Sequence, residues 1–181
     1  NTIASPSFTP DGEAIVFSAV RDTGRDARSD IYRIDLRTGV ETRVTRTAEN
    51  ENSPTQDAGG EYVAVRWVPA TLFREFGPWV YDSLGTPLRG VLPGADTTGY
   101  YLALPDGRWA LTRPKRRAFT IGIFDPRTGT IVDVDSGVPA LPAQRIPGED
   151  ALSWVQVDTA RGRHVLRRWD WRTGRLTTLF G

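Results

Sequence analysis

Acid–base chemistry in this chain would rest on one imidazole, His164, set between Arg163 and Val165. A nucleophilic triad needs such a base beside its nucleophile. The chain has no cysteine, and no Gly-x-Ser-x-Gly elbow presents a serine. His164 falls in a strand-like segment, where a lone histidine reads as structural or merely exposed. Carboxylates are plentiful but not ordered. Asp22, Asp26 and Asp30 flank Gly24 in a polar loop, with Arg21, Arg25 and Arg28 among them. Their spacing misses the register that gathers oxygen ligands around Ca²⁺, so the loop reads as a solvated hairpin. Asp133-Val-Asp135-Ser-Gly137 is no better placed. Paired carboxylates for glycoside hydrolysis can come from distant loops, and the sequence nominates no pair. It also lacks a phosphate-cradling glycine loop and a dinucleotide fingerprint. The expectation is a non-enzymatic chain with no catalytic residue, no cofactor and no required metal.

The elements that would position any site follow from a repeat. Asp35-Leu-Arg-Thr-Gly39, Asp82-Ser-Leu-Gly85, Asp125-Pro-Arg-Thr-Gly129 and Asp170-Trp-Arg-Thr-Gly174 recur about every 45 residues. A second turn keeps phase with the first. Pro10-Asp11-Gly12, Asp57-Ala-Gly-Gly60, Pro105-Asp106-Gly107 and Pro147-Gly-Glu-Asp150 each precede a short apolar run. Two turn signals sharing one period of that length point to β-propeller blades. Each repeat reads as four short strands, a to d, with no sustained helical period. Strand c of the first repeat alternates, with Ile31, Arg33 and Asp35 on one side and Tyr32, Ile34 and Leu36 on the other. Strand d is charged, as suits an outer edge. The expected fold is all-β and propeller-like, with four blades of four antiparallel strands. The blades would cover residues 1–46, 47–92, 93–135 and 136–181 of one domain.

Ser5-Pro-Ser-Phe-Thr-Pro-Asp-Gly12, Ala14-Ile-Val-Phe17 and Asp30-Ile-Tyr-Arg-Ile-Asp35 together resemble the WD40-like repeat with a Pro-Asp-Gly signature. TolB-type propellers and the propellers of prolyl oligopeptidase-like enzymes carry that repeat. The resemblance covers the whole chain at the level of blades. The second repeat departs from it in its first turn, and the fourth has lost Pro-Asp-Gly. TolB-type propellers are periplasmic protein-interaction modules with six blades. The resemblance therefore implies an exported chain and protein partners, including a multi-subunit or membrane-associated complex. Four repeats leave three arrangements open: a closed ring, an open arc, or a piece of a larger propeller. The chain begins at Asn1 and contains no methionine, which implies loss of an initiator residue, a leader or a larger N-terminal region.

Composition narrows the partner class. The formal net charge is +1, so there is no bulk attraction to nucleic acid. No apolar stretch approaches the length of a membrane span. In an antiparallel blade the b–c loops and d–a connections emerge at one end. There the second b–c loop, residues 68–76, carries Leu72, Phe73 and Phe76, where solvent-facing loops are usually polar. The third b–c turn contributes Lys115, Arg116 and Arg117. An apolar anchor with a basic patch is a common protein-interface arrangement, so these six residues are the predicted partner-binding set. A self-plugging loop is the competing structural reading. Of the six tryptophans, Trp67, Trp109 and Trp154 fall on strand b and Trp79 on strand c, as core residues. Trp169 and Trp171 alternate around Asp170, which puts one inside and one outside. The alternative functions are a carbohydrate-binding or glycan-processing propeller acting from its central pocket, or the propeller portion of a prolyl oligopeptidase-like protein.

Overall fold

Each outer hairpin closes on a turn that an aspartate opens and a glycine ends. In the first, Asp35 Oδ1 accepts the Thr38 N–H at 2.8 Å and the Arg37 N–H at 3.1 Å. Gly39 then donates its N–H back to the Asp35 carbonyl at 2.8 Å. The same bonds recur at Asp170, where Oδ1 accepts the Arg172 and Thr173 N–H groups. Gly39 and Gly174 both take φ +71°, the left-handed conformation this turn needs. The computed structural model describes residues 2–24, 27–67, 76–92, 98–115, 118–158 and 162–180.

Sixteen strands form four antiparallel sheets, and the described residues contain no helix. The first sheet is β1 (Thr2–Phe8), β2 (Ala14–Val20), β3 (Ser29–Asp35) and β4 (Glu41–Arg43). The second is β5 (Asn50–Gln56), β6 (Tyr62–Trp67), β7 (Phe76–Tyr81) and β8 (Pro87–Gly90). The third is β9 (Tyr100–Ala103), β10 (Trp109–Lys115), β11 (Ala118–Asp125) and β12 (Thr130–Val138). The fourth is β13 (Gln144–Arg145), β14 (Ala151–Asp158), β15 (Arg163–Asp170) and β16 (Leu176–Phe180). Within each sheet the strands lie in chain order, the meander of a propeller blade. The four-blade, all-β expectation is met.

The chain divides into two compact units, Asn1–Thr97 with the first two blades and Thr98–Gly181 with the last two. In the first unit, Val16, Ile31 and Val44 of one blade pack against Tyr62, Ala64 and Tyr81 of the next. Phe17, Ala19 and Tyr32 form a second cluster. Ile31 and Tyr32 thus lie on opposite faces, as their alternation predicts, and both are buried. In the second unit, Ile121, Ile123 and Val138 pack with Leu152, Trp154 and Trp169.

Both first strands of the first unit carry an irregularity. The pairing shifts between Ala4 and Ser7 in β1 and between Asn52 and Thr55 in β5. Ser5 and Ser53 both take φ 51°, and their hydroxyls meet at 3.2 Å. Each serine precedes a proline, which disfavours the right-handed helical region for it. A bulge residue leaving the extended region is thereby pushed to the left-handed one.

Two tryptophan expectations need correction. Trp169 and Trp171 are both buried, at 4% and 5% exposure, rather than one in and one out. β15 ends at Asp170, so Trp171 escapes the pleat. Its N–H donates to the Asp150 carbonyl at 3.0 Å, and its ring joins the core. Of the four tryptophans expected on strands b and c only Trp154 is buried, while Trp67, Trp79 and Trp109 are half-buried. Trp79 spends part of its exposed face under the Arg66 guanidinium, 4.3 Å from the ring centre.

Candidate functional site

Of the predicted partner-binding set, Phe76 and Lys115 are described. Leu72, Phe73, Arg116 and Arg117 lie outside the described residues. Phe76 is not part of a loop: it opens β7, pairs in register with Trp67 and is half-buried. Lys115 ends β10 opposite Ala118, is exposed, and forms an ion pair with Asp133. Arg113 reaches the same carboxylate at 3.5 Å. His164 is exposed on β15.

The acidic loop departs from expectation at Asp30, which is 1% exposed rather than solvated. It belongs to β3, so the strand carries it into the seam between the first two blades. Arg43 on β4 follows it there, at 2.6 Å from Asp30 Oδ2 and 3.0 Å from Asp22 Oδ2. Glu51, on β5 of the next blade, is fully buried in the same seam. Thr45 lies between the carboxylates. Its hydroxyl accepts the Ile31 N–H at 2.9 Å and stands 3.3 Å from Asp30 and 3.2 Å from Glu51. The Thr47 hydroxyl donates to Glu51, and the Tyr81 hydroxyl reaches it at 3.4 Å.

One hydroxyl proton on Thr45 serves one carboxylate only. Arg43 neutralises Asp30, whereas no cation bonds Glu51 among the described residues. When Glu51 is protonated it can donate to Thr45, which frees the Thr45 proton for Asp30. Burial pushes the Glu51 carboxyl up to about 7. Burial, and then the Glu51 charge, raise the Tyr81 phenol. Asp30, Thr45 and Glu51 are buried in the seam that joins the two blades, with Arg43 and Asp22 at its edge. Its sequence signal was weak, because Glu51 sits in the polar run Glu49-Asn-Glu-Asn52 that reads as a loop.

The second unit offers two open sites. At the end of the turns, a cleft of about 510 Å³ is bordered by Asp106, Arg108, Asp125, Arg127, Asp150 and Arg172. Its charges are paired within the protein: Arg108–Asp106 at 2.6 Å, Arg127–Asp125 at 2.9 Å and Arg172–Asp150 at 2.6 Å. Arg108 also donates to the Trp171 carbonyl at 2.6 Å, which ties the third blade to the fourth.

At the opposite end of these blades, where the d–a connection runs, is a cavity of about 400 Å³. Pro139, Leu141 and Pro142 border it from the connection, and Ser153, Val155 and Leu166 from the fourth blade. No ionisable side chain lines it. Leu141 is 56% exposed at its mouth. Trp154 lines the wall, held through Nε1 by Asp135 at 2.8 Å. Asp135 also takes Gln156 at 3.0 Å and Arg167 at 3.3 Å. It thus ties β12 to β14 and β15, and no group of three or more potential metal ligands occurs among the described residues.

Neither a protein-family model nor a curated protein matches the sequence. Solved structures do match. TolB from Acinetobacter baumannii aligns with a TM-score of 0.75 at 19% identity, over 98% of this chain and 43% of that one. The fold is that of a β-propeller. A puromycin-hydrolyzing peptidase of Mycobacterium tuberculosis aligns at 0.70 and 16% identity, over 98% of this chain and 29% of that one. An oligogalacturonate lyase in complex with manganese aligns at 0.70 and 14% identity, over 98% and 52%. The chain thus spans from 29% to 52% of the length of these three proteins. At such identities the likeness is one of fold. A TolB, a peptidase and a lyase share it, so the architecture alone does not select a function.

Proposed function

We propose that this propeller segment is a non-enzymatic protein-interaction module, an accessory subunit of a larger assembly. It binds a protein partner at the blade ends where b–c loops and d–a connections emerge. The observation that carries this reading is the apolar cavity beside β14. An uncharged cavity at that end, with Leu141 exposed at its mouth, suits docking better than catalysis. The sequence nominates Leu72, Phe73 and Phe76 with Lys115, Arg116 and Arg117, and of these Phe76 opens β7 and Lys115 ends β10. They form the rest of the proposed contact set. By its resemblance to TolB-type propellers, the chain acts in the periplasm or another exported location. The partner is a protein rather than nucleic acid, because the net charge is +1 and many arginines are already paired with carboxylates. No described helix is long and apolar enough to cross a membrane.

The test is retrieval of partners from native extract by the chain and by a Phe73→Ser, Phe76→Ser double variant. Loss of specific partners by a folded variant supports the reading. Retrieval of the same partners by both makes this loop a plug.

A glycan-binding role is the second reading, favoured by the three aspartates around the turn-end cleft. Against it, each carboxylate is held by an arginine, and Trp171 is too buried to stack on a sugar. Calorimetric titration with neutral and acidic oligosaccharides separates the two. Binding that Asp125→Asn abolishes would favour the glycan reading.

A further inference from the structure

The connection that joins the third blade to the fourth is stiffened by its own bonds. The Leu141 N–H donates to the Pro139 carbonyl at 2.8 Å, which closes a three-residue turn. The Leu141 carbonyl accepts the Thr112 hydroxyl of β10 at 2.8 Å. Pro139 and Pro142 fix φ on either side. On another wall of the same cavity, Trp154 is held through Nε1 by Asp135. The space of about 400 Å³ between these walls is therefore formed before any ligand arrives. Its size falls among small-molecule sites, which span roughly 300–1,000 Å³.

One residue of the lining leaves both of its main-chain groups unused. The Ala151 carbonyl accepts the Ile146 N–H at 3.0 Å, so Ala151 faces the inner side of the blade. Alternation along β14 then turns the N–H and C=O of Ser153, Val155 and Val157 the same way. Ser153 pairs with Gln144 of β13. At Val157, β12 crowds the edge, since a side chain on Gly137 would stand 3.6 Å from the carbonyl oxygen. Between them, continuing the β13 register puts Pro142 opposite Val155, and proline has no N–H to give. Val155 forms no main-chain bond on this side among the described residues. The gap is one residue long, too short for a strand and matched to a single amide.

The lining defines the chemistry of the ligand. An extended residue presents its N–H and C=O side by side, so its complement carries an acceptor and a donor equally close together. An amide with N–H and C=O on the same side has that arrangement, as in a lactam or a primary carboxamide. No ionisable side chain lines the cavity, so a charged ligand would lose its hydration without gaining a counter-charge. Val138, Pro139, Pro142 and Leu166 offer apolar surface, and Ser153 and Gln144 add uncharged polar side chains. We propose that this cavity binds a small uncharged molecule, whose amide exchanges two hydrogen bonds with the Val155 backbone and whose apolar body lies against Trp154 and Leu166. The site goes beyond the protein-interaction reading and does not depend on it.

The test is titration of the ¹⁵N-labelled full chain with 2-quinolone, a bicyclic lactam, followed by the backbone amide resonances. Saturable binding should appear, with the Val155 amide among the most shifted. N-methyl-2-quinolone lacks the donor to the Val155 carbonyl and should bind about tenfold more weakly or worse. The 4-carboxylate of 2-quinolone should be rejected, because its charge finds no partner in the lining. Leu141→Asp, at the exposed mouth, should weaken 2-quinolone binding while the rest of the spectrum reports an intact fold. No saturable binding up to millimolar 2-quinolone, equal affinity of the N-methyl form, or shifts centred away from Val155 would each overturn the proposal. If 2-quinolone fails while Phe73→Ser, Phe76→Ser still loses its partners, the small-ligand inference falls and the protein-interaction reading stands.

Discussion

Glu51 lies 3.2 Å from the hydroxyl of Thr45 across the seam of the first two blades, and both residues are fully buried. The pair makes the stability of this seam depend on pH. The Glu51 carboxyl is raised from 4.5 to about 7, so the folded chain binds its proton more tightly than the unfolded chain does. The protonated seam is fully stable below pH 4.5, loses stability as pH rises from there to about 7, and stays weakened above. The loss is at most about 3 kcal/mol. The turn aspartates act with the opposite sign. The Thr38 hydroxyl holds Asp35 below the usual carboxylate range, and the Thr86 N–H does the same for Asp82. Their contribution is present above the unfolded carboxylate range and is lost in acid. Thermal melts should therefore peak near pH 5, and Glu51→Gln should flatten the alkaline limb. An unchanged alkaline limb in that variant would refute the protonated seam.

Arg43 is the only cation that bonds Asp30 among the described residues. Removing it leaves a buried carboxylate without a counter-charge, which costs about 3 kcal/mol or more. Arg43→Ala should lower the urea midpoint accordingly. Adding Asp30→Asn should recover part of the loss, because the neutral amide needs no counter-charge. A double variant no more stable than Arg43→Ala would contradict the pairing.

Gly85 and Gly129 both take positive φ, but their surroundings differ. A Cβ on Gly85 would stand 2.1 Å from the Val44 backbone carbonyl oxygen, whereas one on Gly129 would meet nothing within 4 Å. Alanine at either site costs about 1 kcal/mol through its backbone conformation. Gly85→Ala should cost clearly more, since the turn must withdraw from the neighbouring blade. Equal melting temperatures for the two variants would rule out that close approach.

His164→Gln should leave both folding and partner retrieval unchanged, because the side chain is exposed on β15 and touches none of the proposed contacts. Loss of binding with the fold intact, seen by circular dichroism and pull-down, would return this histidine to the functional set.

The blades were legible because their turns are written in specific residues. Asp35, Gly39 and their counterparts make the same bonds in the structure that their spacing suggests, and each blade holds the expected four strands. Burial was less legible. Trp171 defeated the pleat rule because the strand ends one residue before it, a boundary that periodicity does not mark. Asp30 read as a loop carboxylate and Glu51 carried no signal, since the burial of each depends on the facing blade. The partner set remains a reading of residue types, and two of its six members, Phe76 and Lys115, are placed in strands rather than loops.

The matched bulges at Ser5 and Ser53 bear on how the chain finds its fold. With the same kink before the same proline, β1 and β5 share one backbone register against β2 and β6, although their side chains differ. Shape alone does little to forbid β1 from joining the wrong hairpin. Distance along the chain does: β1 reaches β2 across residues 9–13 but would reach β6 only across residues 9–61. The shorter closure loses less chain entropy and forms sooner. The expected order in the first two blades is therefore local hairpins first.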